Sequence, residues 1–410
     1  MSDADAARAL LSAAAVRERA HEMLAAGLGG ALQHFTVDLG NLNAAAHVVS
    51  ELIRVNYPDL EVPFHARWRH FVLGGRDLWA ERAAQTSWPT GAAKARAAFD
   101  LAIVSVLLDA GAGPSWKYLD PATEQVVTRS EGLAVASLRM FEAGAFSSDP
   151  ADPLRADAER LTRLKHEEIA TGFQSMVANR LVGVEGRADL LAALGRAAAA
   201  KPDVFAREDR ARPGGLYDYL AAQATDGRLP APRILAAVLE HLGPIWPSRL
   251  TLAGVPLGDT WRHPAIKRAD ATNNLVPIHK LSQWLSYSLI EPLQWSGITV
   301  TDIDGLTGLA EYRNGGLFVD AGVLRLRNPE EAIHPNPVDS ALVVEWRALT
   351  VALLDNIAAL IRNQRGLTVE EFPLACVLEG GTWAAGRRLA REKRADGSPP
   401  IAVVSDGTVF

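Results

Sequence analysis

Apolar positions recur every three or four residues through most of the chain, in alanine-rich stretches over 6–28, 43–55, 92–108, 130–143, 154–181 and 188–200. That spacing predicts helices, because 3.6 residues per turn bring positions i, i+3 and i+4 onto one face. Further helices are predicted over 216–224, 232–242, 280–291, 315–322, 340–362 and 369–391. Two places break the pattern. Around Ala253-Gly254 and Leu257-Gly258, short extended runs over 250–261 read as a β hairpin, and 401–404 with 408–410 suggest a late strand. The expected fold is mainly α: a single composite multi-helix domain over 1–410 with a small β hairpin or minor sheet. No repeat, heptad seam or long linker interrupts it. Proline and glycine make 149–153 and 201–215 the candidate surface joints, with a possible sub-division near 201–215.

The same pattern exposes an anomaly. In Leu306-Thr307-Gly308-Leu309-Ala310-Glu311-Tyr312-Arg313-Asn314-Gly315-Gly316 an acid and a base stand two apart in apolar, glycine-flanked company. Burying even an uncharged polar group alone costs roughly 2–7 kcal/mol, so these charges must be paired or used. Two more carboxylates have similar surroundings, Glu345 in Val343-Val344-Glu345-Trp346-Arg347 and Glu379 in Cys376-Val377-Leu378-Glu379-Gly380-Gly381-Thr382-Trp383. All three are candidates for one site. The bland alternatives are a structural ion pair of Glu311 and Arg313 at a helix start, Glu345 and Arg347 bracing neighbouring helices, and Glu379 capping a turn. Glu345 and Arg347 cannot pair with each other, since residues two apart on a helix face different ways.

Near the N-terminus, Pro63-Phe64-His65-Ala66-Arg67-Trp68-Arg69-His70-Phe71 gathers cations around aromatic residues. Arg67, Arg69 and His70 suit an anion such as phosphate, and a solvated cationic loop is the plain alternative. Lys280 and Gln283 lie on the polar side of an amphipathic helix, where they would meet ligand oxygens or solvent.

Composition narrows the partners. With 410 residues, 48% hydrophobic and 22% charged, the chain can enclose a deep pocket, and a net charge of -6 argues against a nucleic-acid partner. A small-molecule substrate is expected. The lone cysteine, Cys376, excludes an intramolecular disulfide and a cysteine zinc cluster, and its apolar neighbours make it an inert core thiol. His65 and His70 lack metal-motif spacing and no HExxH occurs, so neither a catalytic metal nor a cofactor is expected. No phosphate loop, dinucleotide fingerprint or serine elbow is present. The N-terminal residues carry no signal-like run and no stretch reaches the roughly 18 apolar residues of a membrane span. A cytoplasmic protein without a membrane partner is expected.

Four blocks carry a resemblance: Pro277-Ile278-His279-Lys280-Leu281-Ser282-Gln283-Trp284-Leu285, the Leu306 to Gly316 segment, Glu345-Trp346-Arg347-Ala348-Leu349-Thr350, and Leu378-Glu379-Gly380-Gly381-Thr382-Trp383-Ala384-Ala385-Gly386-Arg387, with the tail Ser405-Asp406-Gly407-Thr408-Val409-Phe410. They resemble the uracil-catabolism family of fungi and bacteria over nearly the whole chain. That family implies a pathway that passes through uracil nucleotides, opens the ring and yields urea. A more distant resemblance is to the all-α queuosine-salvage N-glycosylases, in which an aspartate-isoleucine pair precedes a phenylalanine-alanine-aspartate-tyrosine-arginine run. Here Asp302-Ile303 precedes Leu309-Ala310-Glu311-Tyr312-Arg313 at the same spacing, Glu345-Trp346-Arg347 looks like their glutamate-isoleucine-arginine helix, and Glu379 with Trp383 like their C-terminal aspartate. Glu311 replaces the catalytic aspartate, adding about 1.5 Å of reach. Leu309 replaces a phenylalanine that would stack on a large base, so a smaller leaving group suits both changes.

The resemblance implies a hydrolase cleaving the N-glycosidic bond of a ribosylurea-like compound, as its 5-phosphate, and releasing urea. Glu311 would stabilise the oxocarbenium ion or add to it, while Glu379 or Glu345 delivers a proton. Tyr312, Arg313, Arg347 and Trp383 would bind substrate or orient carboxylates, with Lys280 and Gln283 beside them and Arg67, Arg69 and His70 on the phosphate. Two rivals stand: a metal-dependent amidohydrolase or deaminase on a ring-opened ureido compound, and a non-catalytic helical scaffold of the pathway.

Overall fold

The most apolar run of the sequence, around Glu345, forms a 25-residue helix, Ala341–Arg365, in which every residue from Leu342 to Leu354 is buried. Ser340 starts it by accepting the Val343 N–H, and Gly366 ends it in the left-handed region at φ 68°. A helix buried all round must be wrapped by others. Ala13–Leu28 and Leu42–Asn56 pack along it. A computed structural model describes residues 2–113, 115–207, 210–246 and 250–404, and shows a mainly α protein whose sheets each have two short strands. Among the described residues no helix is long and apolar enough to cross a membrane.

Contacts divide the chain into two units. The first comprises Met1–His65, Ser248–Trp284 and Asp302–Phe410, and the second Ala66–Pro247 and Leu285–Thr301. The 201–215 segment lies inside the second.

In the first unit the expected helix over 6–28 is two, Asp3–Ala9 and Ala13–Leu28. Ser12 causes the break: its hydroxyl donates to the Ala9 carbonyl and accepts the Ala15 N–H, closing one helix and opening the next. The expected hairpin forms as Thr251–Leu252 paired antiparallel with Val255–Pro256, and is followed by Thr260–Arg262 paired with Leu275–Pro277. Late in the chain, Val403–Val404 pairs in parallel with Asn336–Pro337, while residues 405–410 lie outside the described residues. The helix expected over 315–322 begins earlier and runs Tyr312–Asp320. It crosses the Trp383–Lys393 helix so closely that a Cβ on Gly386 would fall onto the Arg313 carbonyl oxygen.

In the second unit Gly91–Leu107 is the buried centre, flanked by Arg129–Glu142, Gly215–Ala221 and Val184–Ala200. Its Asp100 carboxylate is fully buried and accepts from Arg212, from the Ala156 N–H at 3.0 Å and from the Gly214 N–H at 2.5 Å. The helix expected over 154–181 is only Ala158–Thr162 and His166–Gly172. Gln174 explains the stop, because its backbone takes the left-handed conformation at φ 53°. Leu78–Ala84, a helix that the apolar pattern does not mark, is started by the Asp77 side chain on the Ala80 N–H.

Two glycines make opposite tests. Gly386→Ala must separate two helices and is expected to cost at least ~1–3 kcal/mol in urea unfolding. Gly186, in the Val184–Ala200 helix with open space around its missing Cβ, is expected on replacement by alanine to gain ~0.5–1 kcal/mol.

Candidate active site

Glu311 is the N-cap of the Tyr312–Asp320 helix, so its carboxylate replaces the partners that the first N–H groups of any helix lack. Oε2 accepts the Arg313 N–H at 2.8 Å and Oε1 the Asn314 N–H at 2.5 Å. Arg313 does not pair with it; its guanidinium donates to the Gly397 carbonyl at 2.8 Å and lies 5.1 Å from the Tyr312 ring centre. The loop before the cap is fixed from below. Gln283, fully buried, accepts the Thr307 N–H at 3.0 Å and donates to the Thr307 hydroxyl, while Asn314 holds the Leu309 carbonyl at 3.1 Å.

Burial pushes the Glu311 carboxyl above its ordinary value, against the lowering effect of the two N–H donors and the positive charges of Lys280 and His65. These last two are its electrostatic neighbours. Lys280 opens the Lys280–Trp295 helix. His65 belongs to the irregular chain after Leu42–Asn56, tied by its N–H to the Ala375 carbonyl at 3.0 Å.

His65 Nδ1 lies 2.7 Å from Glu379 Oε2, and both side chains keep only a little exposed surface. Glu379 stands in a π-helical turn, Leu378–Thr382, between the Leu374–Val377 and Trp383–Lys393 helices. One-turn π insertions of this kind occur often at functional sites. Here the adjoining glycines have a packing reason: a Cβ on Gly381 would lie 2.5 Å from Val49 Cγ1 and 2.8 Å from the Val49 carbonyl oxygen. The Gly380-Gly381 pair therefore lets the turn lie against the Leu42–Asn56 helix. Trp383, just beyond, carries the Arg387 guanidinium 5.2 Å from its ring centre.

Glu345 and Arg347 belong to the walls. The fully buried Glu345 carboxylate accepts the N–H groups of Gln33, His34 and Phe35 at 3.1–3.2 Å and lies 3.2 Å from His263 Nε2. It anchors the chain entering the Phe35–Val37 strand. Arg347 binds both oxygens of Asp259 at 2.8 Å. Asp259 also accepts the Trp261 indole N–H at 2.6 Å and the Lys280 N–H at 2.9 Å, so it caps the helix that carries Lys280 and Gln283. Burial alone would raise the Asp259 carboxyl, but the Arg347 charge and hydrogen bonds hold it at about 2. Between strand and helix, His279 takes a left-handed backbone at φ 49°, a strained conformation kept by its bond to the Leu10 carbonyl at 3.0 Å.

The segment expected to hold an anion, with a solvated cationic loop as the alternative, is a 3-10 turn, Arg67–Phe71, in the second unit, and its arginines are paired rather than solvated. Arg67 is wholly buried, 3.0 Å from Asp109 and bonded to Ser105, the Ser130 carbonyl and His70 Nδ1. Arg69 binds both oxygens of Glu291 at 2.8 and 2.9 Å. Each guanidinium therefore already pairs with a protein carboxylate. Cys376 is buried, and its surroundings push the thiol up to about 12, too high for a nucleophile at neutral pH. Among the described residues no three histidine, cysteine, aspartate or glutamate side chains gather as a metal site would need.

The structure thus places Lys280 and His65 in electrostatic range of Glu311 and pairs His65 with Glu379. Sequence reasoning placed His65 within a cationic motif without a role and passed over Asp259 entirely. No local signal marked Asp259, because the helix start that it caps lies 21 residues further along the chain.

Residues 9–410 match the family described as "Protein of unknown function (DUF1688)". The chain is 38% identical to Protein urg3 of Schizosaccharomyces pombe over 411 residues, covering 98% of each chain. It is 37% identical to Uracil catabolism protein 4 of Lachancea kluyveri over 413 residues, covering 92% of each.

Replacing Arg347 by methionine leaves Asp259 without its main countercharge and is expected to cost ~3–5 kcal/mol near neutral pH. Asp259 titrates at about 2 when folded, below its ordinary 3.8, so the pair stabilises above 3.8 and is lost as pH falls toward 2. Urea midpoints of the two proteins should accordingly converge over that acid range.

Proposed function

The chain belongs to the DUF1688 family, and from that membership, a relative named for uracil catabolism and the Glu311 site we propose that it acts in uracil breakdown as an N-glycosyl hydrolase. Its substrate in this reading is a ribosylurea-like compound, 5-phosphorylated, from which urea leaves. The observation that carries the reading is a carboxylate fixed on a helix N-terminus, with a lysine and a histidine–glutamate pair in electrostatic range.

Breaking the C1–N bond leaves positive charge on C1 and the ribose ring oxygen. An ionised Glu311 against C1 favours that state over the neutral substrate, and the helix donors hold the carboxylate so that it need not reorganise as the charge appears. Urea leaves poorly as an anion, so the bond pair moving onto its nitrogen must meet a proton, which comes from the Glu379 side of the site. Water then adds to C1 and returns a proton to the protein, giving ribose phosphate and urea. Glu345 and Arg347 support this arrangement from behind, through the 33–35 backbone and through Asp259 and the Lys280 helix.

Tyr312 and Trp383 are the aromatic surfaces nearest in sequence to the two carboxylates. Each carries an arginine over its ring.

Purified protein incubated with ribosylurea 5-phosphate is expected to release urea, measured by mass spectrometry. Glu311→Gln keeps one acceptor for the helix N–H groups, so it should stay folded while turnover falls by about 10²–10³-fold. Full activity in a folded Gln variant would overturn the assignment. Since burial raises the Glu311 carboxyl above its ordinary 4.5, wild-type kcat/KM should climb with pH through an apparent value above 4.5, as the required ionised form appears.

A further inference from the structure

We propose that His65 is the group that hands the proton to the leaving nitrogen, with Glu379 positioning it. This rests on the glycosyl-hydrolase reading and identifies the atom that acts within it. Glu379 Oε2 engages His65 Nδ1 at 2.7 Å, which fixes the ring plane and keeps a proton on Nδ1. Among the described residues nothing bonds to Nε2, so that nitrogen is the one left to face a ligand. The backbone is held as well, since the His65 N–H donates to the carbonyl of Ala375, one turn before Glu379. A histidine set this way by a carboxylate is a general acid when protonated and a general base when neutral.

The step balances. Nε2–H gives its proton to the urea nitrogen as that nitrogen takes the C1–N bond pair, leaving neutral His65 and the oxocarbenium ion held by Glu311. Neutral Nε2 then accepts a proton from the water that adds to C1, and His65 ends as it began. No other reactant is needed. Among the described residues Glu379 is bonded to His65 and Glu311 lies in its electrostatic range, with Lys280 likewise in range of Glu311 and the Cys376 thiol and Asp304 in range of one another and, for the thiol, of Glu379. The same pairing explains why Glu379 is retained in an apolar segment: it holds the histidine and need not itself touch substrate.

A leaving group that needs no proton separates this role from a structural one. Wild type, His65→Asn and Glu311→Gln are compared on ribosylurea 5-phosphate and on p-nitrophenyl ribofuranoside 5-phosphate. The asparagine amide can still reach Glu379, and His65→Gln serves as a second variant if the first folds poorly. Loss of the histidine is expected to slow urea release about 10²–10⁴-fold and p-nitrophenol release by much less, because the phenolate leaves without a proton and only the water step then lacks its base. Glu311→Gln should slow both. Equal loss on both substrates in a folded His65 variant, or no loss on the urea compound, overturns the proposal. If wild type cleaves neither compound, the hydrolase reading itself fails and this assignment falls with it; if it cleaves both and only His65 behaves otherwise than expected, the hydrolase reading stands alone.

Discussion

The Asp259 carboxylate holds three separate parts of the first unit to one point: Arg347 from the long central helix, the Trp261 indole from the Thr260–Arg262 strand, and the N–H of Lys280 at the start of the next helix. An ion pair buried this deeply gains little unless its remaining lone pairs are also satisfied. Here they are, by the indole and the helix start. The consequence reaches the site, because Gln283 on the helix so capped fixes Thr307, and Thr307 fixes the loop that presents Glu311. The Glu311 carboxylate is thus placed by a relay through Asp259, Gln283 and Thr307.

Glu311 itself satisfies two opposing demands. As a helix cap it is favoured by two N–H donors and the positive end of the helix. Burial works against its charge and prevails. Aspartate, asparagine, serine and threonine are the usual caps, so a glutamate here gives up some capping geometry for reach. The oxygens that close the helix are the same ones that burial penalises.

Most helices were legible because their apolar faces repeat cleanly: 43–55, 92–108, 130–143 and 232–242 were read to within a residue or two of Leu42–Asn56, Gly91–Leu107, Arg129–Glu142 and Ala231–His241. Boundaries failed where one side chain or backbone angle overruled the pattern, as at Ser12 and Gln174. In the site, glycine-flanked carboxylates in apolar surroundings drew attention to Glu311 and Glu379, and their neighbourhood alone could do so. What each charge faces was beyond reach. Glu345 looked like Glu379 in sequence, yet one binds a strand's backbone and the other a histidine more than 300 positions away along the chain. Pairing over such separations is decided by topology, which local spacing does not encode.

The π-helical turn at Leu378–Thr382 amounts to one residue more than an α-helix would use over the same stretch. Removing one residue there would let the helix run on without a break, turning everything after it by about 100° and drawing it back by about 1.5 Å. Gly386 would then no longer meet the Arg313 backbone, and Trp383 would leave the neighbourhood of Glu379. Length in this short interval is therefore inherited as a unit with the glycine that follows it, and insertions or deletions that homologous chains accumulate elsewhere should spare it.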